Sequence, residues 1–392
     1  MPFHTEPISE TQLETLDDVR DWISDTQRSL NRIPIEGVLE QGATFLDDAY
    51  LGDGDTLLHF NRPAFVALCQ RLGCRKEFLE KLETPSLASQ VLNDLLAQRK
   101  VRTELSGDEF VMDERSNTVI GLVSKTYVTY TNDDFITDIE DRLSQLSDEN
   151  GMVFQVAYGI NTDLTMRYVS THEHGTIQGR GGRGVDKSRV GLQFLNSMVG
   201  TSAVVINYYL DRLVCANGMM VPAASSVNRV NHSGRKESFH IRMDRSLREV
   251  VRNLGQLKHM LNTLGDLPFQ PAALSQDQVL TEKIFEVISG SKQQLCEEAD
   301  MFLRYPNDAT RAERERLRID HDTRLIGLIP KHFGGADSSK VFKTPFRDEA
   351  TVFDFVNVFT EYAKTQSPSR KLEIEERAGT LATYIAGNAR KL

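Results

Sequence analysis

The chain has few cysteines and no long apolar run. Its four cysteines, Cys69, Cys74, Cys215 and Cys296, are scattered, and the closest two are five residues apart, so neither a disulfide framework nor a CxxC metal pair is predicted. No apolar run approaches the roughly 20 residues that cross a bilayer. The first residues, Met-Pro-Phe-His-Thr-Glu-Pro, lack the basic and apolar regions of a signal peptide. We expect a soluble cytoplasmic protein with reduced thiols and no membrane partner.

The motifs of common enzyme classes are also lacking. The sequence contains no GxSxG elbow and no HExxH pair. The glycine-rich loop 179–189 (GRGGRGVDKSR) does not fit a Walker A loop, because Asp186 precedes Lys187 where that motif requires glycine. His321, between Asp320 and Asp322 in a predicted helix, is expected on a solvated surface. We therefore predict no catalytic residues, no metal and no cofactor.

Length and periodicity predict an α+β protein with more than one packed unit. A chain of 392 residues exceeds the roughly 250–300 residues of a single core. Apolar spacing predicts a helical N-terminal region over 1–100, an α+β core with a basic loop over 101–262, and a helical C-terminal region over 263–392. The core is expected to be an antiparallel-leaning sheet with helices, flanked by the two helical regions.

Within the core, local patterns predict individual elements. Asn132 followed by two aspartates predicts a helix start. Residues 152–159 and 164–171 alternate in polarity across Asn161-Thr162-Asp163, which predicts a hairpin. Further strands are expected over 190–198, 202–210, 212–220 and 237–243, and helices dominate from Asp244 onward.

Charge is distributed very unevenly. The chain carries −10 in total, yet residues 165–260 contain 14 Lys and Arg against 6 Asp and Glu, a net charge of +8 that leaves −18 for the rest. A basic segment in an acidic protein indicates a polyanionic partner. Arginine and lysine would neutralise phosphates in a groove, and the predicted nucleic-acid-binding residues are Arg180, Arg183, Lys187, Arg189, Arg212, Arg229, Arg235, Lys236 and Arg242.

Three features leave alternatives open. The loop arginines could simply be solvated on a mobile surface. Tyr168, Phe194, Tyr208 and Tyr209 could stack nucleobases, although aromatic residues in strands more often fill the core. His172-Glu173-His174, together with Tyr208-Tyr209, suggests a metal-dependent nickase, but the middle residue of the triplet is glutamate where such enzymes have an apolar residue.

Residues 121–143 and 194–219 carry a family resemblance. The block Arg212-Leu213-Val214-Cys215-Ala216-Asn217 is similar to that of an uncharacterised phage- and plasmid-borne family, domain of unknown function 932. The preceding turn, Asn196 to Thr201, lacks the His-Asp pair usual in that family. The resemblance spans roughly 118–260 and implies a mobile-element origin and a bacterial host cytoplasm. The element order strand, helix, hairpin is also similar to that of Red-beta-type single-strand annealing proteins.

Charge and resemblance together favour a nucleic-acid-binding protein, with single-stranded DNA preferred, that binds or anneals DNA in replication or recombination as a homo-oligomer. A structural protein that assembles through contacts between its basic and acidic parts is the alternative. The metal-dependent nickase is the third hypothesis.

Overall fold

The computed structural model describes residues 9–27, 30–46, 50–52, 57–146, 151–172, 175–177, 186–212, 217–221, 228–252, 254–333 and 350–389. The strands are β1 (Glu10–Leu13), β2 (Leu30–Pro34), β3 (Thr44–Leu46), β4 (Tyr50–Gly52), β5 (Leu57–Phe60), β6 (Asp108–Asp113), β7 (Thr118–Ser124), β8 (Met152–Ile160), β9 (Asp163–Ser170), β10 (Gly175–Ile177), β11 (Asp186–Ser197), β12 (Val204–Arg212), β13 (Asn217–Val221) and β14 (Arg229–Val230).

The helices are α1 (Leu16–Gln27), α2 (Ile35–Glu40), α3 (Arg62–Arg71), α4 (Lys76–Leu79), α5 (Pro85–Ala97), α6 (Arg99–Leu105), α7 (Asn132–Ser144), α8 (Lys236–Arg252), α9 (Leu254–Asp266), α10 (Pro271–Leu274), α11 (Gln278–Val287), α12 (Ser291–Glu298), α13 (Arg311–Phe333), α14 (Val352–Ala363) and α15 (Pro368–Asn388). None of these described helices is both long and apolar enough to pass through a bilayer.

The larger sheet is antiparallel, with strand order β1-β8-β9-β11-β12-β13. Strand β10 pairs with β11, and β14 pairs with β12. The predicted hairpin is confirmed as β8 and β9, which turn at Asn161 with φ of 53°. Asparagine tolerates this left-handed conformation better than most residues. Two sheets with helices confirm the α+β class.

The smaller sheet has the order β2-β6-β7-β5-β4-β3. Strand β5 runs parallel to β7, and the other pairs are antiparallel. The first hundred residues therefore contain the predicted helices together with strands β1 to β5, which the sequence patterns did not indicate. These strands are three to five residues long, too short to show a period of two.

Helices cover both faces of the larger sheet. On one face, Asn196 of β11 donates to the side chain of Asn132 at the start of α7 (2.9 Å). Helix α8 joins this layer, because the rings of Tyr130 and Phe239 meet at 4.8 Å. Helix α15 packs on the opposite face, where Lys371 donates to the Tyr158 hydroxyl (2.7 Å).

A buried ion pair fixes α15 to this second face. Arg167 of β9 and Glu375 of α15 are 1% and 0% exposed and form a short salt bridge. The Arg167 Nε donates to Gln193 (2.7 Å), and its guanidinium lies 4.4 Å from the ring centre of Tyr209. A paired, hydrogen-bonded arginine can be buried at tolerable cost. The ion pair sets the position of the last helix on the sheet.

Two main hydrophobic clusters form the interior. The larger one runs from Leu13 to Ile385, and the smaller one from Ile35 to Leu122. The C-terminal helices thus share a core with the larger sheet. Because shared packing does not by itself define a folding unit, the domain boundaries after residues 100 and 262 stay predictions.

Candidate nucleic-acid interface

The basic segment after β14 is helical where a strand was predicted over 237–243. Helix α8 begins at Lys236, and its buried residues Phe239, Met243, Leu247 and Val250 recur every three or four positions. This spacing is typical of a helix that packs one apolar face against the core. The prediction of a strand here was wrong.

The outer face of α8 carries three arginines at helical spacing. Arg245, Arg248 and Arg252 are exposed, and they define what we call the arginine stripe. Ile241, 67% exposed, continues the same face one turn earlier. Together with Asp244 and Glu249 they border a cavity of ≈ 440 Å³. None of the three arginines forms an ion pair with a carboxylate among the described residues.

The acidic residues of α8 only partly offset this charge. Asp244 accepts a hydrogen bond from Arg142 of α7 (2.6 Å), so its charge is already paired. Glu249 is half-buried beside the stripe. At the start of the helix, Lys236 is exposed and lies 3.9 Å from Asp134. The stripe therefore keeps a net positive charge towards solvent.

Of the other predicted cations, two are engaged in internal contacts. Arg189 donates from Nε and Nη2 to one oxygen of Asp211 (3.1 and 2.6 Å), which is 2% exposed. Arg242 donates to the backbone carbonyls of Asn231 (3.1 Å) and Ser233 (2.6 Å) and fixes the turn before α8. Both side chains stabilise the fold through these hydrogen bonds, so fewer of their N–H donors are available to a ligand.

The remaining predicted cations are only partly placed. Arg229 in β14 and Arg235 just before α8 are exposed, on the same chain segment as the arginine stripe. Lys187 lies in β11 opposite Thr176 of β10, and Arg212 lies in β12 opposite Asn217 of β13. Arg180 and Arg183 lie outside the described residues.

The aromatic residues expected to stack bases are in the core. Tyr168, Phe194, Tyr208 and Tyr209 are 4%, 0%, 6% and 3% exposed, which confirms the alternative that they fill the interior. Phe239, between the basic residues, is fully buried. His232 is also buried, and desolvation lowers its pKa to about 4, so it adds no positive charge near neutral pH.

The turn 196–201, where the sequence departs from the family pattern, contacts the β8–β9 hairpin. Its Thr201 hydroxyl donates to Asp163 Oδ2 (2.7 Å), and the Ser197 and Thr201 hydroxyls lie 2.6 Å apart. The other oxygen of Asp163 is buried without a hydrogen-bond partner. Burial raises the pKa of Asp163 to about 6, although the two hydroxyls oppose this.

Residues 119–383 match the model of the family described as domain of unknown function (DUF932). This span is more than half of the chain. The chain belongs to this family. Comparisons with curated proteins and with solved structures find no match.

The family match extends further than the sequence resemblance did. The resemblance was expected to end near residue 260 and to leave the C-terminal helices outside, whereas the match continues to residue 383 and includes most of α15. The Arg167–Glu375 pair gives a physical reason, because it joins α15 to the sheet. The unit that this DUF932 protein shares with its family thus includes the helical layer on the second face.

His321 and Asp322 are buried, so the expectation of a solvated surface was wrong. His321 is 9% exposed, and its Nε2 donates to the carbonyl of Met301 (2.9 Å). Asp322, 1% exposed, contacts Lys292 at 2.9 Å and Arg318 at 3.2 Å. Cys296 Sγ lies 3.7 Å from His321, but burial raises the pKa of this thiol, which disfavours a reactive thiolate.

The nickase hypothesis gains no support from its proposed nucleophiles. Burial raises the pKa of Tyr208 to about 12 and that of Tyr209 further, whereas an attacking phenolate requires a lowered pKa. His174 lies outside the described residues. Among those that are described, no group of three or more His, Cys, Asp or Glu is arranged to hold a metal ion.

Proposed function

We propose that this DUF932 protein binds nucleic acid through the phosphate backbone, and that the arginine stripe of α8 is its principal contact. The single observation that supports this is the set of three exposed arginines on one helix face without a described carboxylate partner. Arginine forms bidentate hydrogen bonds with phosphate. Arg229 and Arg235 extend the positive surface towards the start of the helix.

The stripe has a suitable length for a polyanion. With about 1.5 Å of rise per residue, Arg245 and Arg252 lie roughly 10 Å apart along the helix, enough to contact two or three successive phosphates. Backbone contacts do not depend on sequence. The proposed activity is therefore sequence-independent binding, with single-stranded DNA favoured and annealing during replication or recombination as its use.

The wider parts of the proposal concern the cellular setting. We place the protein in the bacterial host cytoplasm, as a homo-oligomer of phage or plasmid origin that needs no metal and no nucleotide. The acidic surface of the rest of the chain would keep it soluble and limit indiscriminate coating by DNA.

The test compares the parent with Arg245, Arg248 and Arg252 all changed to Ala. Fluorescence anisotropy with labelled single-stranded and duplex oligonucleotides is followed over a range of salt concentrations. Each phosphate contact contributes about −0.7 to the slope of log K against log salt for single strands, so the variant should bind more weakly, with a slope shallower by about 2.

The matched control changes Arg62, Arg75 and Lys81 to Ala. These are three exposed cations outside the family match, so the variant has the same net charge as the stripe variant. It should retain the parent's affinity. No binding by a folded parent at low salt, or equal losses in both variants, would refute the proposal.

A second candidate, an assembly protein, is favoured by one observation. Helix α1 exposes Asp17, Asp21 and Asp25 in the layer that also contains the basic α8. The acidic surface of one copy could accept the basic helix of another. In that case added salt should dissolve the assembly without DNA, which sedimentation velocity would show.

A further inference from the structure

The segment 301–306, which joins α12 to α13, exposes two aromatic rings. Phe302 is 53% exposed and Tyr305 is 42% exposed, and the exposed Arg304 lies between them in sequence. Among the Phe, Tyr and Trp side chains that the structure describes, only Phe78 has a similar exposure. Single surface apolar residues need no explanation, but two rings flanking an arginine form a pattern with a chemical use.

Hydrogen bonds hold both ends of this segment. Met301 donates its N–H to the Cys296 carbonyl (2.9 Å) and accepts at its own carbonyl from the buried His321 (2.9 Å). Nδ1 of this histidine lies 3.2 Å from Asp322 Oδ1, and Asp322 in turn contacts Lys292 and Arg318. The buried cluster around His321 therefore acts as an anchor for the backbone that carries Phe302.

The other end is fixed by α13. Ala309 donates its N–H to the Pro306 carbonyl (3.1 Å), and Arg314 Nε donates to the Ala309 carbonyl (3.1 Å). The guanidinium of Arg314 lies 5.8 Å from the ring centre of Tyr305. A ring held next to a planar cation on an anchored segment loses little conformational entropy when a ligand binds.

Exposed aromatic rings interleaved with arginine are what proteins use to bind unpaired nucleobases. The base stacks on the ring, and the guanidinium stacks or pairs beside it. Formal charge in this part of the chain is balanced, because Arg304, Arg311 and Arg314 are matched by Asp300, Asp308 and Glu313. The segment is thus suited to stacking, and poorly suited to neutralising phosphates.

We propose that Phe302 and Tyr305 form a stacking site for unpaired nucleobases of a nucleic-acid strand. This inference rests on the proposed function and adds to it the preference for single strands, because duplex bases are already stacked on each other. The surface fits a stacking site better than an apolar protein contact, since Leu303 between the rings is half-buried and the neighbouring Arg304 is exposed.

The test uses the double substitution Phe302→Ala and Tyr305→Ala. Anisotropy titrations with long single-stranded and duplex oligonucleotides are compared with those of the parent. Single-strand affinity should fall about fivefold or more for each ring lost. Duplex affinity and the salt slope should stay unchanged, because no phosphate contact is removed; the duplex measurement also shows that the variant is folded.

Two further variants sharpen the result. Phe78→Ala removes an equally exposed ring elsewhere and should leave single-strand affinity unchanged. Exchange of the rings, Phe302→Tyr with Tyr305→Phe, keeps both stacking surfaces and should restore the parent's affinity.

The outcomes separate this inference from the proposed function. If the stripe variant loses binding while the double ring variant keeps the parent's single-strand affinity, stacking is refuted and backbone binding stands. If the parent binds no nucleic acid, both are refuted. If the ring variant changes only the sedimentation of the protein, the segment is a protein contact and the stacking inference is overturned.

Discussion

Removal of one member of the Arg167–Glu375 pair should destabilise the protein far more than removal of both. Each side chain is at most 1% exposed, and one Glu375 oxygen already lacks a hydrogen-bond partner. The substitution Arg167→Met would leave the Glu375 carboxylate buried without its cation. Breaking a buried pair in this way costs about 3–5 kcal/mol.

The partner substitution Glu375→Leu should cost a similar amount. It leaves the Arg167 guanidinium with Gln193 at 2.7 Å and the ring of Tyr209 at 4.4 Å, neither of which carries a compensating charge. The double variant removes both charges and replaces them with apolar groups of similar length. Since such replacements are often close to neutral, we expect the double variant to be more stable than either single variant.

Equilibrium urea unfolding provides the assay. Far-UV circular dichroism reports the helices, and the fluorescence of Trp22, the single tryptophan, reports the opposite face of the sheet, where its ring lies against Gly159. A loss below about 1 kcal/mol in Arg167→Met would mean that water reaches the pair. A double variant as unstable as the sum of the single variants would refute the argument that the cost comes from an unpaired buried charge.

Two further predictions concern the larger sheet. The pKa of Asp163 is about 6 in the folded protein, against an ordinary value of 3.8 that applies to the unfolded chain. Between these two pH values the folded state therefore binds more protons than the unfolded state. The free energy of unfolding should fall as pH rises through this window, by up to about 3 kcal/mol. Asp163→Asn should remove this fall and make the variant more stable than the parent above pH 6. Urea unfolding at several pH values measures both free energies of unfolding, and a difference between them that does not change with pH across the window would contradict this prediction. Gly191→Ala should lower the free energy of unfolding by about 1–3 kcal/mol or more, because the added Cβ would lie 2.3 Å from the Tyr168 carbonyl oxygen. The control is Gly387→Ala in α15, where the added Cβ meets nothing within 4 Å. This control should be neutral or stabilising.

The sequence predicted the parts of the fold that are specified locally. The β8–β9 hairpin was predicted because its turn residues and alternation are contiguous in the chain. The start of α7 was predicted to within one residue, since Thr131 rather than Asn132 caps it, accepting from Asp134 N–H at 3.0 Å.

The error at α8 has a specific cause. Phe239, Ile241 and Met243 alternate, as in a half-buried strand, but the 67% exposure of Ile241 shows that the alternation was coincidental. The pair Phe239 and Met243 also fits helical spacing, and Leu247 continues it. Reading the window further towards the C-terminus would have favoured the helix.

Long-range packing accounts for what the sequence could not predict of the candidate site. His321 lies between two aspartates and looks solvated, yet the packing of α12 against α13 buries it against Met301. The basic charge of residues 165–260 was evident from composition, but composition does not distinguish Arg189, which is paired with Asp211, from Arg248, which is exposed. The sequence patterns did not single out Phe302 and Tyr305, because only the folded structure shows whether an aromatic side chain is exposed.

The attachment of α15 has a consequence for how the protein forms during synthesis. Arg167 and Glu375 are 208 residues apart in sequence, and Ser369 at the start of α15 donates to Glu10 of β1, 359 residues away. The ribosome must therefore have synthesised α15 before the second face of the sheet can be covered. Folds with many such distant contacts form slowly, and a sheet whose second face is still uncovered is prone to aggregate. The uncovered face contains Arg167, Gln193 and Asp211 beside the apolar side chains of Val156 and Tyr158, so only part of the exposed surface is polar until α15 packs on it.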